Sequence, residues 1–145
     1  MTPEAFLSPA DEQEVVKAIR AAESATSGEI RVHIERRVPG GDPVMRAQEL
    51  FIELGMGATA LRNGVLIYVA AEDHKFAICG DKGIDDVVED DFWDCTKDAM
   101  QAEFRRGNFK QGLIDGISRA GERLRHYFPG THDDTNELPN EISNG

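Results

Sequence analysis

The stretch Val65-Leu66-Ile67-Tyr68-Val69-Ala70, with Ala71-Glu72-Asp73 after it and then His74-Lys75-Phe76-Ala77-Ile78-Cys79, decides the fold. A short unbroken apolar run opened by Asn63-Gly64 reads as a central strand covered on both faces. Glu72-Asp73 makes a tight turn, and His74 to Cys79 returns as the antiparallel partner. Working back along the chain, Glu29-Ile30-Arg31-Val32-His33-Ile34-Glu35 alternates strictly and is the plainest strand in the protein. Ile30, Val32 and Ile34 form its apolar face. Arg31, His33 and Glu35 form a polar one, so this strand is expected at a sheet edge or beside a solvated groove, with His33 on the surface.

Helices fill the rest. Ser8-Pro9-Ala10-Asp11 opens one, with Ser as N-cap, Pro at the first helical position and acids in the first turn. Val15, Val16, Ile19, Ala22 and Ala25 keep helical spacing, and Gly28 ends it. After the turn Pro39-Gly40-Gly41, Asp42-Pro43 opens a second helix that buries Ala47, Leu50, Phe51 and Leu54 and stops at Gly55-Met56-Gly57. Two more are expected, from about Asp90 to Arg105 and from about Phe109 to Phe128. The first strand–helix–strand unit should be a right-handed parallel crossover. The expected class is α/β: a three-layer α/β/α sandwich, its small mixed sheet combining that crossover with the antiparallel hairpin, helices on both faces. Residues 1–128 form the domain and residues 129–145 a polar, acidic tail with Leu138 and Ile142 as isolated apolar points.

A chain of 145 residues, 40% apolar and 30% charged, is sized and composed for one soluble domain. Its formal charge of −11 argues against nucleic acid or an anionic membrane as partner, since both need basic patches. Cys79 and Cys95 make neither a CxxC pair nor a zinc pattern with His33, His74, His126 and His132. Both are expected as buried free thiols, which fits a reducing compartment. Met1 to Leu7 shows no basic leader, and no apolar stretch approaches the roughly 20 residues of a membrane helix. A soluble, cytoplasmic protein without membrane insertion is the expectation.

The functional signal is the run Gly80-Asp81-Lys82-Gly83-Ile84-Asp85-Asp86-Val87-Val88-Glu89-Asp90-Asp91-Phe92-Trp93. With the hairpin turning at Glu72-Asp73, Ile67 lies opposite Ile78 and Gly64 opposite Asp81, so Arg62 and Asn63 stand beside Asp81 and Lys82. A parallel first strand brings Glu29 to the same end. One rim of the sheet should then gather Glu29, Asn63, Asp81, Asp85 and Asp86, with Asp90 and Asp91 at the mouth of the next helix. Carboxylates this close repel one another unless a cation lies among them. Oxygen donors on a glycine-flexed loop suit calcium, which takes about six to eight oxygens, better than magnesium or another divalent ion. The candidate metal ligands are Glu29, Asp81, Asp85, Asp86, Asp90 and Asp91. Their spacing is not that of an EF-hand. Competing roles remain open at this point. Asp90 and Asp91 can simply cap a helix, Glu29 can pair with Arg31 or Arg62, and Phe92, Trp93 and Cys95 read as core. No nucleophile–histidine pair with an orienting acid can be assembled.

These segments resemble the TPM domain, a family shared by a thylakoid lumen protein of photosystem II repair, many bacterial proteins and a nematode receptor modulator. The resemblance covers roughly Ser8 to Tyr127. It is carried by Thr26-Ser27-Gly28-Glu29-Ile30, by Asn63-Gly64 with its strand, by Glu72-Asp73, by Gly80-Asp81-Lys82-Gly83-Ile84-Asp85, and by Phe104-Arg105-Arg106-Gly107-Asn108-Phe109-Lys110-Gln111-Gly112-Leu113. It implies an α/β/α sandwich with a groove at one sheet end, where family members bind calcium or other divalent ions; acid phosphatase activity is attributed to the plant branch. Asp85 matches the family's usual acid after Gly-Leu, Asp90 its usual Asp before the helix, and Glu29 its usual Gln or Glu. Asp81, Asp86 and Asp91 are carried by local density instead. The chain departs from the family in lacking a visible signal peptide and membrane anchor. It also has Asp81-Lys82 where the glycine loop usually holds an aromatic, and a more polar first strand. Two functions are expected from this: a calcium-dependent binding or regulatory module for a protein partner, or a metal-assisted phosphomonoesterase.

Overall fold

The computed structural model describes residues 7–59, 61–89, 91–129 and 142–144. Helix α1 spans Pro9–Glu23, and Ser8 caps it, its Oγ accepting from the Asp11 backbone N–H at 3.1 Å. Strand β1 is Glu29–Glu35. Helix α2 is Pro43–Glu53, capped by Asp42, whose Oδ1 accepts from Val44 at 3.0 Å and Met45 at 3.3 Å. The hairpin follows as β2, Gly64–Ala70, and β3, Lys75–Gly80. A one-turn helix α3, Lys82–Asp85, leads to α4, Asp94–Arg105, and α5, Phe109–Tyr127. A short strand β4, Ser143–Asn144, ends the described chain.

The sheet order is β3-β2-β1-β4. Strands β1 and β2 run parallel with Glu29 beside Gly64, and β2 and β3 antiparallel with Ile67 beside Ile78, the register expected from the turn position. On one face Ile30, Val32, Ile34, Val65, Ile67 and Val69 share a core with Val15 and Ile19 of α1, Met100 of α4, and Leu113, Ile117 and Leu124 of α5. Each fully buried Ile or Leu here contributes about 1.5–3 kcal/mol. On the other face Leu66, Tyr68, Ala70 and Ala77 pack beneath Ala47, Leu50 and Phe51 of α2. The fold is thus the mixed α/β sandwich that the patterning implied. Helix α4 lies close on α5 because Gly112 has no side chain: a Cβ there would occupy the space of the Phe104 ring. Among the described residues, no helix is long and apolar enough to cross a membrane.

Several local expectations give way. Strand β1 is not an edge strand, because β4 pairs with it in parallel at His33 and Ile34. Nor is its polar face solvated: His33 and Glu35 are 4% and 6% exposed. Buried charge has to be paired, and Glu35 is. It accepts from Arg46 Nη2 at 2.6 Å and Nε at 3.1 Å, and from the Tyr68 hydroxyl at 2.6 Å, with His33 Nε2 3.5 Å away. Alternation of polar and apolar residues cannot tell a solvated face from one whose polar groups satisfy each other. Helix α4 starts at Asp94 rather than near Asp90, and its N-cap position, Trp93, supplies no side-chain cap. Asp91 therefore sits in the turn before the helix and not in its first turn. Cys95 is exposed and Cys79 half-buried, so Cys95 is not a core thiol. Phe92 is buried, and Trp93 packs against the core as expected.

Candidate functional site

The rim lies where β1 and β2 begin and β3 ends. Asp81 N–H donates to the Gly64 carbonyl at 2.9 Å, which fixes Asp81 to the start of β2. Its side chain then caps α3, Oδ1 accepting from Lys82 N–H at 2.7 Å. Arg62 clamps both oxygens, Nε to Oδ2 at 2.8 Å and Nη2 to Oδ1 at 3.0 Å, a bidentate pair on a buried carboxylate. The segment read as a bent loop is in fact this capped helical turn. Arg62 holds a left-handed backbone, φ 52°, which only a fixed surrounding sustains in a non-glycine residue. Gly83 supplies part of it. Its N–H donates to the Arg62 carbonyl at 2.8 Å, and a Cβ at Gly83 would collide with the Leu61 and Arg62 carbonyl oxygens.

Asp85 and Asp86 end α3 and are exposed. Partial burial, followed by the charges of Asp86 and Asp81, pushes the Asp85 carboxyl above its ordinary range. The neighbouring Cys79 thiol is pushed up to about 11 by burial and then by Asp85 and Asp81. Asp85 thus feels the charge of two other expected ligands, Asp81 and Asp86.

Glu29 turns elsewhere. It is buried at the start of β1 and shares a hydrogen bond with Glu23 from the end of α1. There it meets a second carboxyl group. Burial first, then the hydrogen bond and charge of Glu29, raise Glu23 to about 8, although its Oε2 accepts from the Ile30 N–H at 2.8 Å. Two carboxyls this close share a proton rather than both ionise. Glu23 was missed by sequence reasoning, yet a signal existed: an acid in the last turn of a helix opposes the helix dipole and needs another reason to be there. Asn63 is buried, its Nδ2 reaching Ser27 Oγ at 3.3 Å while its carbonyl accepts from Glu29 N–H at 3.4 Å. Among the described residues no side-chain hydrogen bond or ion pair joins Asp91 to the group, and Asp90 lies outside them.

The donor set therefore fits a hard cation in kind but not yet in arrangement. Among the described residues, no three His, Cys, Asp or Glu side chains already stand as a metal-holding group. Asp85 and Asp86 are available as ligands, while Asp81 can bind a metal only by loosening its pair with Arg62, itself half-exposed. At the far end of the hairpin the acids Glu72 and Asp73 are engaged too. Glu72 pairs with Arg36 at 3.1 Å and Arg37 at 3.2 Å, and Asp73 accepts from Val38 N–H at 2.8 Å.

Comparison with known proteins agrees with this architecture. The NMR structure of the BA42 protein from the psychrophilic Bizionia argentinensis matches at 56% identity and a TM-score of 0.90, over 97% of this chain and 96% of that one. The N-terminal domain of a P. gingivalis protein matches at 22% identity and TM-score 0.71, covering 88% of this chain and 83% of that one. The N-terminal domain of the cg2496 protein from Corynebacterium glutamicum matches at 16% identity and TM-score 0.65, covering 92% and 77%. At these lower identities the likeness speaks for the fold alone. No curated protein sequence matches. The sequence pattern of the TPM domain matches residues 1–123, most of the chain, and the protein belongs to the TPM domain family.

Proposed function

We propose that the chain is a divalent-cation-binding module, with calcium the favoured ion, and that the ion orders the acidic rim for a protein partner. The observation that carries this reading is the state of Asp85: burial together with Asp86 and Asp81 makes its negative charge unfavourable, and a cation relieves that penalty as a proton does. Oxygen-only donors suit calcium. In the ion's absence Arg62 neutralises Asp81, so loading the site is a competition between a guanidinium and the metal. Leu61 and Val87, 56% and 50% exposed, flank α3 and give the rim apolar surface on which a partner can settle. The free thiols Cys79 and Cys95 are consistent with a reducing, cytoplasmic setting.

Thermal melting during a calcium titration tests the proposal. Calcium should raise the melting temperature, Asp85→Asn should remove most of the gain, and acid should remove it in the wild type as the ligands protonate. A melting temperature indifferent to millimolar calcium overturns the reading. One feature favours the alternative of a metal-assisted phosphomonoesterase: Arg62 and Lys82 lie beside the acids, where they could offset phosphate charge. Hydrolysis of p-nitrophenyl phosphate that disappears in Asp85→Asn would support it, and activity that survives the substitution would count against it.

A further inference from the structure

The opposite end of the β2–β3 hairpin holds a cavity of about 400 Å³, within the size range of small-molecule sites. It lies between the hairpin turn and the α4–α5 corner, roughly 20 Å along β2 from the acidic rim. Phe76, Phe104 and Phe109 line it. Phe104 stands edge-on to Phe76 with centroids 5.3 Å apart and stacks on Phe109 at 5.2 Å. Gly112 leaves the room that fixes the Phe104 ring. All three phenyl groups are only half-buried, so apolar ring surface faces the opening.

The charge of the lining is the second observation. The chain has 27 acidic and 16 basic residues, yet among the described residues no acid lines this cavity, whereas His74, Lys75 and Arg105 do. Lys75 gives its stem, because its ammonium donates to the Gly41 carbonyl at 2.9 Å. Arg105 has no ion-pair partner among the described residues. A lone arginine in the last turn of a helix is ordinary dipole chemistry. Here it stands with His74 at the mouth of an aromatic chamber, and His74 holds a left-handed backbone, φ 55°.

We propose that this cavity binds a small aromatic carboxylate. Its ring stacks among Phe76, Phe104 and Phe109, and its carboxylate meets the Arg105 guanidinium and His74. The rings supply stacking and edge-to-face contact. The guanidinium supplies a fork that matches two carboxylate oxygens. Neither acetate nor inorganic phosphate could use the chamber, and a neutral aromatic could not use its mouth.

Phenylacetate titrated into the isotope-labelled full chain, followed by amide NMR shifts, is the test. Saturable shifts should centre on His74 to Phe76 and on Phe104 to Phe109. Phenylacetamide and acetate should each bind about tenfold more weakly or worse. Arg105→Gln, which leaves the core intact, should reduce phenylacetate to the level of phenylacetamide, and Phe109→Leu should weaken both aromatic ligands. Equal affinity for acid and amide, an Arg105→Gln variant that binds as the wild type does, absence of saturable shifts at millimolar ligand, or shifts confined to Asp81 to Asp86 would each overturn the proposal. Calcium binding at the rim should not change in Arg105→Gln, which separates this site from the one proposed there.

Discussion

Strand β1 begins and ends with a buried glutamate, and the two live in opposite surroundings. Glu35, at the end, accepts from a guanidinium and a phenol. Burial pulls its proton affinity up, but the hydrogen bonds from Arg46 and Tyr68, with Arg46's charge, hold the carboxyl below its usual range. Glu29, at the start, faces the carboxyl of Glu23, which is held protonated toward about pH 8. One end of the strand is electrically closed. The other brings two carboxyls together, and its state follows pH. The same strand thus anchors α2 to the sheet at one end and buries a pair of carboxyls at the other.

The sharpest way to break this contrast is Glu35→Gln. It leaves the Arg46 charge, 18% exposed, with only the more exposed Glu49 as ion-pair partner, and unfolding in urea should show a loss of about 3 kcal/mol. A loss within about 1 kcal/mol would mean that the pair behaves like a surface bridge. Next in size is Gly83→Ala. Its new methyl group meets backbone oxygens that cannot swing aside, so stability should fall by about 2 kcal/mol. The Arg62 and Asp81 amide resonances should move with it.

The smallest effect concerns pH. Because Glu23 binds its proton more tightly in the fold than in the unfolded chain, its contribution is complete below the ordinary carboxylate range. It is lost as pH rises through about 8. Glu23→Gln should remove that loss, making the melting temperature of the variant relative to wild type rise between pH 6 and pH 9 by roughly 2–4 °C. Parallel melting curves at the two pH values would show that the pair does not share a proton.

Much of the molecule was legible in the chain. Position-specific patterning fixed the β2–β3 register down to Ile67 beside Ile78, and with it the convergence of Asp81, Asn63 and Glu29 on one rim. Caps at Ser8 and Asp42 were readable because their chemistry is local. What escaped is long-range. His33 and Glu35 look like a wet face until Arg46 and Tyr68 are placed over them. Glu29 offers itself to Arg31, to Arg62 or to a metal, and nothing in its own segment announces Glu23, from another element, beside it. Arg62 was placed beside Asp81 by the hairpin register, but not the bidentate clamp it closes on that carboxylate. In each instance the deciding partner comes from another segment, and a one-dimensional pattern carries no record of which charge meets which.

The pairing of β4 with β1 has a temporal consequence. His33 and Ile34 wait for Ser143 and Asn144, about 110 residues later in the chain. On a ribosome, β1 must therefore remain without this neighbour while about 110 further residues are made, its backbone groups open to any other extended segment. Such distant closure slows folding and exposes a nascent sheet to mispairing. Ser143 and Asn144 act as a late latch on an element laid down long before them.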